Sequence, residues 1–131
     1  MRKLTLKSFQ SPGDVVMLTA AVRDLHRACP GQFATDVRTT AQEIWDHNPY
    51  VTRLEEGSPD VELLDMHYPL IHQSNQRPYH FIHGYVQYLE ERLGVRIPVT
   101  EFRGDIYLSS EERNALPSDL PAVPEHYWII V

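Results

Sequence analysis

Leu4, Leu6 and Phe9 alternate loosely with polar residues, which predicts an opening strand, and the Gln10-Ser11-Pro12-Gly13 cluster supplies the breakers that end it. From Asp14 the period changes. Val15, Leu18, Ala21, Val22, Leu25 and Cys29 recur at three- and four-residue steps, the signature of a helix with one apolar face, stopped at Pro30-Gly31. That spacing places Arg23, His26 and Arg27 on the opposite face. Phe33 to Val37 reads as a second strand, and Thr40 as the cap of a short helix through Ile44 and Trp45 that halts before Asn48-Pro49.

Val51 to Leu54 reads as a short strand, and Val61 to Met66, bounded by Ser58-Pro59 and Pro69, as a buried parallel strand. A polar loop from Pro69 to Pro78 follows. Ile82, Tyr85, Val86, Leu89 and Leu93 then restore helical spacing, with Gln87, Glu90, Glu91 and Arg92 outward and Gly94 in the usual stop position. Ile106 to Leu108 predicts a small strand and Ser109-Ser110-Glu111-Glu112 a capped helix start. Strands alternating with helices predict an α/β chain of Rossmann-like, doubly wound type, with a mainly parallel sheet and helices on both faces. The expected division is a domain over 1–116, a Pro-rich linker over 117–125 and a terminal strand over 126–131. Tyr127-Trp128-Ile129-Ile130-Val131 reads either as one more strand of this sheet or as the first strand of a second domain.

Composition narrows the picture. The 131 residues suffice for one hydrophobic core but not for two complete nucleotide-binding folds, and no stretch approaches the roughly 20 apolar residues of a membrane helix. Arg2 and Lys3 precede no apolar secretory core, so the expected location is cytoplasmic. A formal charge of -6, with no basic stripe, argues against nucleic acid as a partner. The single Cys29 has no internal disulfide partner and reads as a small buried thiol.

Candidate chemistry begins at the first strand-to-helix turn, Ser11-Pro12-Gly13-Asp14, because ligands of such sheets bind where strands end and helices begin. Gly13 predicts a backbone conformation or close approach that a side chain would block, and the helix start offers unpaired N–H groups to an anion. Asp14 places a carboxylate there, and Asp is also a preferred helix cap. One Gly-Asp turn is not the three-glycine dinucleotide fingerprint, so no cofactor is expected.

These residues also carry a resemblance. Met1 to Lys7, then Ser11-Pro12-Gly13-Asp14-Val15-Val16-Met17-Leu18-Thr19-Ala20-Ala21-Val22, with Leu25 and Pro30 beyond, resemble the opening of the heptosyltransferase family, glycosyltransferase family 9. Asp60-Val61-Glu62-Leu63-Leu64-Asp65 is similar to the family's Asp-Leu-Val-Ile-Asp strand. His83 to Gly94, followed by Ile106-Tyr107-Leu108-Ser109-Ser110-Glu111-Glu112, is similar to its helix ending in Leu-Gly and its Leu-Ser-x-Glu-Glu stretch. The resemblance implies the acceptor-side, N-terminal half of a two-domain GT-B fold, inactive without a donor-binding half. It further implies an inverting transfer of a hexosyl or heptosyl group from a nucleotide sugar to a sugar or glycolipid acceptor, at the cytoplasmic side of the inner membrane. Asp14 matches the family's general base, and Ser11 and Gly13 the turn beside it. The approach Phe9-Gln10-Ser11-Pro12 is longer than in typical members, and the loop after His67 lacks the family's Arg-Ser-type continuation.

His67, His72, His80 and His83 cluster in sequence, but without a cysteine pair or metalloprotease motif no metal site is expected. His67, Asn75 and His80 read instead as acceptor contacts, since their loop leaves the carboxyl edge of a strand. Trp45, Tyr85 and Tyr88 read as packing residues. Two other functional readings stand beside the transferase: a non-catalytic interaction module that meets itself or a partner chain through its C-terminal strand, and a flavodoxin-like small-molecule binder. The second is weakened by the lack of a phosphate loop.

Overall fold

The computed structural model describes residues 1–67, 70, 73, 76–78 and 80–115. The proposed linker over 117–125, the terminal strand over 126–131 and most of the Pro69 to Pro78 loop lie outside these described residues. The elements run β1 (Arg2–Ser8), α1 (Pro12–Ala28), β2 (Phe33–Thr39), a 3-10 turn (Gln42–Trp45), β3 (Val61–Asp65), α2 (Phe81–Leu93) and α3 (Ser110–Asn114).

The three strands form a parallel sheet in the order β2-β1-β3, so the first strand is central. Leu6 aligns with Val37 on one side and Leu64 on the other. Because successive side chains of a strand point to opposite faces, this register puts Leu4, Leu6, Val37 and Leu64 on one face, where all four are fully buried. α1 and α2 pack against each other over that face, and Leu18, Val22, Leu25, Ile82, Tyr85 and Leu89 join the strands in one core. The opposite face leaves Lys7 exposed and Leu63 59% exposed. Among the described residues no helix covers it, so the helices expected on both faces are found on one.

Local chemistry accounts for the helix ends. Ser11 is extended at the N-cap of α1 with Pro12 at the first helical position, where proline's fixed φ and missing N–H cost nothing. α2 stops at Gly94, whose φ of 69° is the left-handed conformation that glycine adopts without penalty. Ser109 and Glu112 form a reciprocal capping box that starts α3, as their spacing predicts.

Several expectations need correction. Val61 to Met66 is not a doubly buried strand, because β3 pairs with β1 alone among the described residues and only Leu64 of its five residues is buried. Val51 to Leu54 makes one bridge, Val51 to Thr35, rather than a ladder. Ile106 to Leu108 lies outside any strand, with Ile106 and Leu108 largely exposed. Thr40 does not cap the following turn: its hydroxyl donates to the Gln10 carbonyl, and Ala41 takes the cap position. Arg23 is buried rather than on a solvated face, for a reason the loop after α2 supplies.

Candidate functional site

The carboxyl edge of the sheet is organised by Gln10, a residue that pattern reading treats only as part of a turn. Its side chain is buried, and its Oε1 accepts hydrogen bonds from the Tyr85 hydroxyl on α2 at 2.8 Å and from the Ser8 hydroxyl at 3.3 Å. Its Nε2 lies 3.5 Å from His67 Nδ1, just past β3, and its carbonyl receives the Thr40 hydroxyl from just past β2. One amide residue therefore ties together the ends of all three strands and α2. The sequence signal for it is slight: a lone Gln before a Ser-Pro-Gly turn.

The Ser11-Pro12-Gly13-Asp14 turn follows directly. Asp14 occupies the first turn of α1, half-buried, and the Ser11 hydroxyl donates to its Oδ2 at 2.8 Å. Ser11 thus spends its side chain on the carboxylate instead of capping the helix. Gly13 is exposed, and a Cβ there would meet nothing within 4 Å, so the close approach expected of it is not required by this chain. What its missing side chain leaves is bare helix backbone beside Asp14, where the positive end of the helix dipole faces outward.

His67 and His80 sit at the same edge with structural ties. The His67 amide donates to Asp65 Oδ1, and His80 caps α2 by accepting the Ile82 amide at Nδ1. A neutral His80 ring therefore carries its proton on Nε2, on the far side from the helix. Asn75 and His72 lie outside the described residues. Trp45 and Tyr85 are core residues, as expected, and the Trp45 indole N–H reaches the Thr39 hydroxyl. Among the described residues no group of three or more His, Cys, Asp or Glu side chains converges as a metal site.

A second feature escaped the sequence pattern. The segment after α2 crosses α1, and a fully buried ion pair fastens it there. Arg23 binds Asp24 at 3.0 Å and Asp105 at 2.9 Å, and its guanidinium also donates to the carbonyls of Glu101 and Arg103. The Thr100 amide and hydroxyl both donate to Asp24. Burial pushes the Asp24 carboxyl up, but hydrogen bonds from Arg23 and Thr100 outweigh it and hold the group below its ordinary value. Gly104 rests directly on α1, since a Cβ there would stand 2.2 Å from the Val16 carbonyl oxygen. Phe102, between the two gripped carbonyls, is 60% exposed and meets the rings of His80 and His83.

Among the described residues, one hollow of 640 Å³ lies on the sheet face away from the helices, between Lys7, Arg38 and Leu63, and another of 810 Å³ beside Trp45 and Arg53. Neither is lined by Asp14. Comparison with protein-family models, with curated proteins and with solved structures finds no match for this chain. What the fold and site define is an α/β domain with an open, three-stranded parallel sheet, compatible with a Rossmann-like fold, whose central strand leads into an acidic helix start.

Proposed function

We propose that this domain is the acceptor-side half of an inverting, nucleotide-sugar-dependent glycosyltransferase of the GT-B kind, with Asp14 as the general base. The supporting observation is the location of Asp14: a half-buried carboxylate, oriented by Ser11, at the helix start that follows the central strand of a parallel sheet. Ligands of such sheets collect at that edge. The sequence resemblance supports the same assignment.

In this reading an acceptor hydroxyl approaches the Gly13 backbone and Asp14. Its oxygen attacks the anomeric carbon of the donor from the face opposite the nucleotide. The new C–O bond forms as the bond to the nucleoside diphosphate breaks, the diphosphate leaves with the electron pair, and the hydroxyl proton passes to the Asp14 carboxylate. The proton moves late, after bond formation has acidified the hydroxyl, so placement of the carboxylate matters more than its intrinsic strength. Ser11 fixes that placement by holding one carboxylate oxygen.

The donor's nucleotide is assigned to a second domain, joined to this one or supplied by another chain. The test is to measure binding and transfer separately. The 131-residue chain alone is expected to bind no nucleotide sugar at micromolar concentration, and to support transfer once a donor-binding half is added. Tight donor binding by the chain alone would assign it to the opposite half of the enzyme.

The alternative, a non-catalytic interaction module, draws on the uncovered sheet face with its exposed Leu63. It predicts partner binding that is indifferent to Asp14.

A further inference from the structure

Phe102 presents an apparent contradiction. A large apolar ring stands 60% exposed on a loop, yet the backbone on both sides of it is hydrogen-bonded to a buried arginine. The carbonyls on either side of it, Glu101 and Arg103, both receive the guanidinium of Arg23, which is 1% exposed. Asp105 binds the same guanidinium through its side chain and Thr19 through its amide, and Gly104 lies on the Val16 backbone with no room for a Cβ. Single exposed apolar residues are common and ordinarily mean nothing. Here the backbone on both sides of the ring is fixed by a buried charge network, so the ring is displayed rather than stranded.

Its surroundings define what it can receive. His83 meets it edge-on at 4.9 Å between centroids and 77°, and His80 at 5.6 Å and 89°. Both imidazoles are exposed, and His80 keeps its outer Nε2 for donation because Nδ1 is used in capping α2. An aromatic surface bordered by imidazole donors and acceptors matches a ligand with one apolar face and a polar rim. A pyranose ring has that form, with axial C–H bonds over one face and hydroxyls around its edge. The location fits as well. α2 begins at the carboxyl edge after β3, beside the helix that carries Asp14, and Gly104 touches that helix two residues beyond Asp14.

We propose that Phe102, flanked by His80 and His83, is a stacking platform for the pyranose ring of the acceptor. The inference rests on the acceptor-side reading above and adds the residues that hold the acceptor ring. A saccharide free in solution and one carried on a lipid share this chemistry.

The test needs neither donor nor transfer. The isotopically labelled 131-residue chain is titrated with the methyl pyranosides of glucose, galactose and mannose, and with sorbitol as an acyclic polyol. The ring resonances of Phe102, His80 and His83 are followed. At least one pyranoside is expected to give saturable shifts at Phe102, with sorbitol giving none. Phe102→Ala should weaken that affinity about tenfold, the equivalent of about 1.4 kcal/mol, while Phe102→Trp retains it and both variants keep the parent's thermal midpoint. Absence of shifts at Phe102 with every pyranoside, equal response to sorbitol, or unchanged affinity in Phe102→Ala would overturn the proposal. Since Asp14 takes no part in the titration, a failed transfer assay and a failed titration reject different claims.

Discussion

Gln10 holds the carboxyl edge together through a side chain that has little tolerance for loss. Its Oε1 accepts the Tyr85 hydroxyl inside the core, where Tyr85 is fully buried. Gln10→Ala removes that acceptor and also the contacts to Ser8 and His67, and a buried hydroxyl deprived of its partner costs about 1–3 kcal/mol. Chemical denaturation should show a loss in that range. Tyr85→Phe in the Gln10→Ala background should cost less than it does in the parent, because the hydrogen bond from that hydroxyl to Gln10 is already gone. Strictly additive losses would mean that the two side chains are not coupled.

At the scale of elements, α1 serves both the core and the loop that crosses it. Arg23→Ala leaves Asp24, 0% exposed, without its main counter-charge, and breaking one partner of a buried pair costs about 3–5 kcal/mol. The Asp105 amide, hydrogen-bonded to Thr19, should lose protection from hydrogen exchange first, as the loop detaches. Retention of that protection would show that the loop is held by something other than the ion pair. This is also where sequence reading reached its limit. β1, α1 and α2 were legible because each buries one face, and the periods of two and 3.6 survive in Leu4 and Leu6 and in Leu18, Val22 and Leu25, whereas β2 was legible as a short run buried on both faces from Phe33 to Val37. Arg23 was misread because a charged residue beside an apolar stripe looks solvated unless the covering segment is known, and that segment lies some 80 residues further along the chain. Val51 to Leu54 and Ile106 to Leu108 failed for a related reason: apolar or β-branched composition favours extension, but a ladder needs a neighbouring strand. Of the candidate site, the Gly-Asp turn was legible from its breakers and its place in the chain. Gln10 and Phe102 were not, since their roles arise from contacts with Tyr85, His67, His80 and His83 that no local pattern encodes.

Over the whole molecule the charge network and a half-buried imidazole act on stability in the same direction. Burial pushes His26 below its ordinary value, with its Nε2 3.0 Å from the Thr35 hydroxyl. Folding therefore favours neutral His26, a contribution that is complete above the unfolded histidine value of about 6.5 and declines as pH falls below it. Asp24 is likewise held below its unfolded value, so its contribution is present above about pH 4 and is lost as pH falls through the lower folded value. The thermal midpoint should be highest near neutrality, decline modestly as pH falls below about 6.5, and fall again below about pH 4. Removing His26 by substitution to Gln should flatten the first decline and leave the second. An unaltered first decline in that variant would assign it to another group.

No helix among the described residues is long and apolar enough to cross a membrane, and the proposed chemistry belongs to one edge of a small parallel sheet. The claim on which this rests is that Asp14 takes the acceptor's proton. The most direct measurement is single-turnover transfer by the chain together with a donor-binding half, comparing the parent with Asp14→Asn, which keeps the side chain's shape and its contact with Ser11 but is not a base. The account predicts a drop of about 10²–10⁴-fold in the transfer step, with circular dichroism and acceptor binding unchanged. Transfer at the parental rate by the folded Asp14→Asn chain would contradict it.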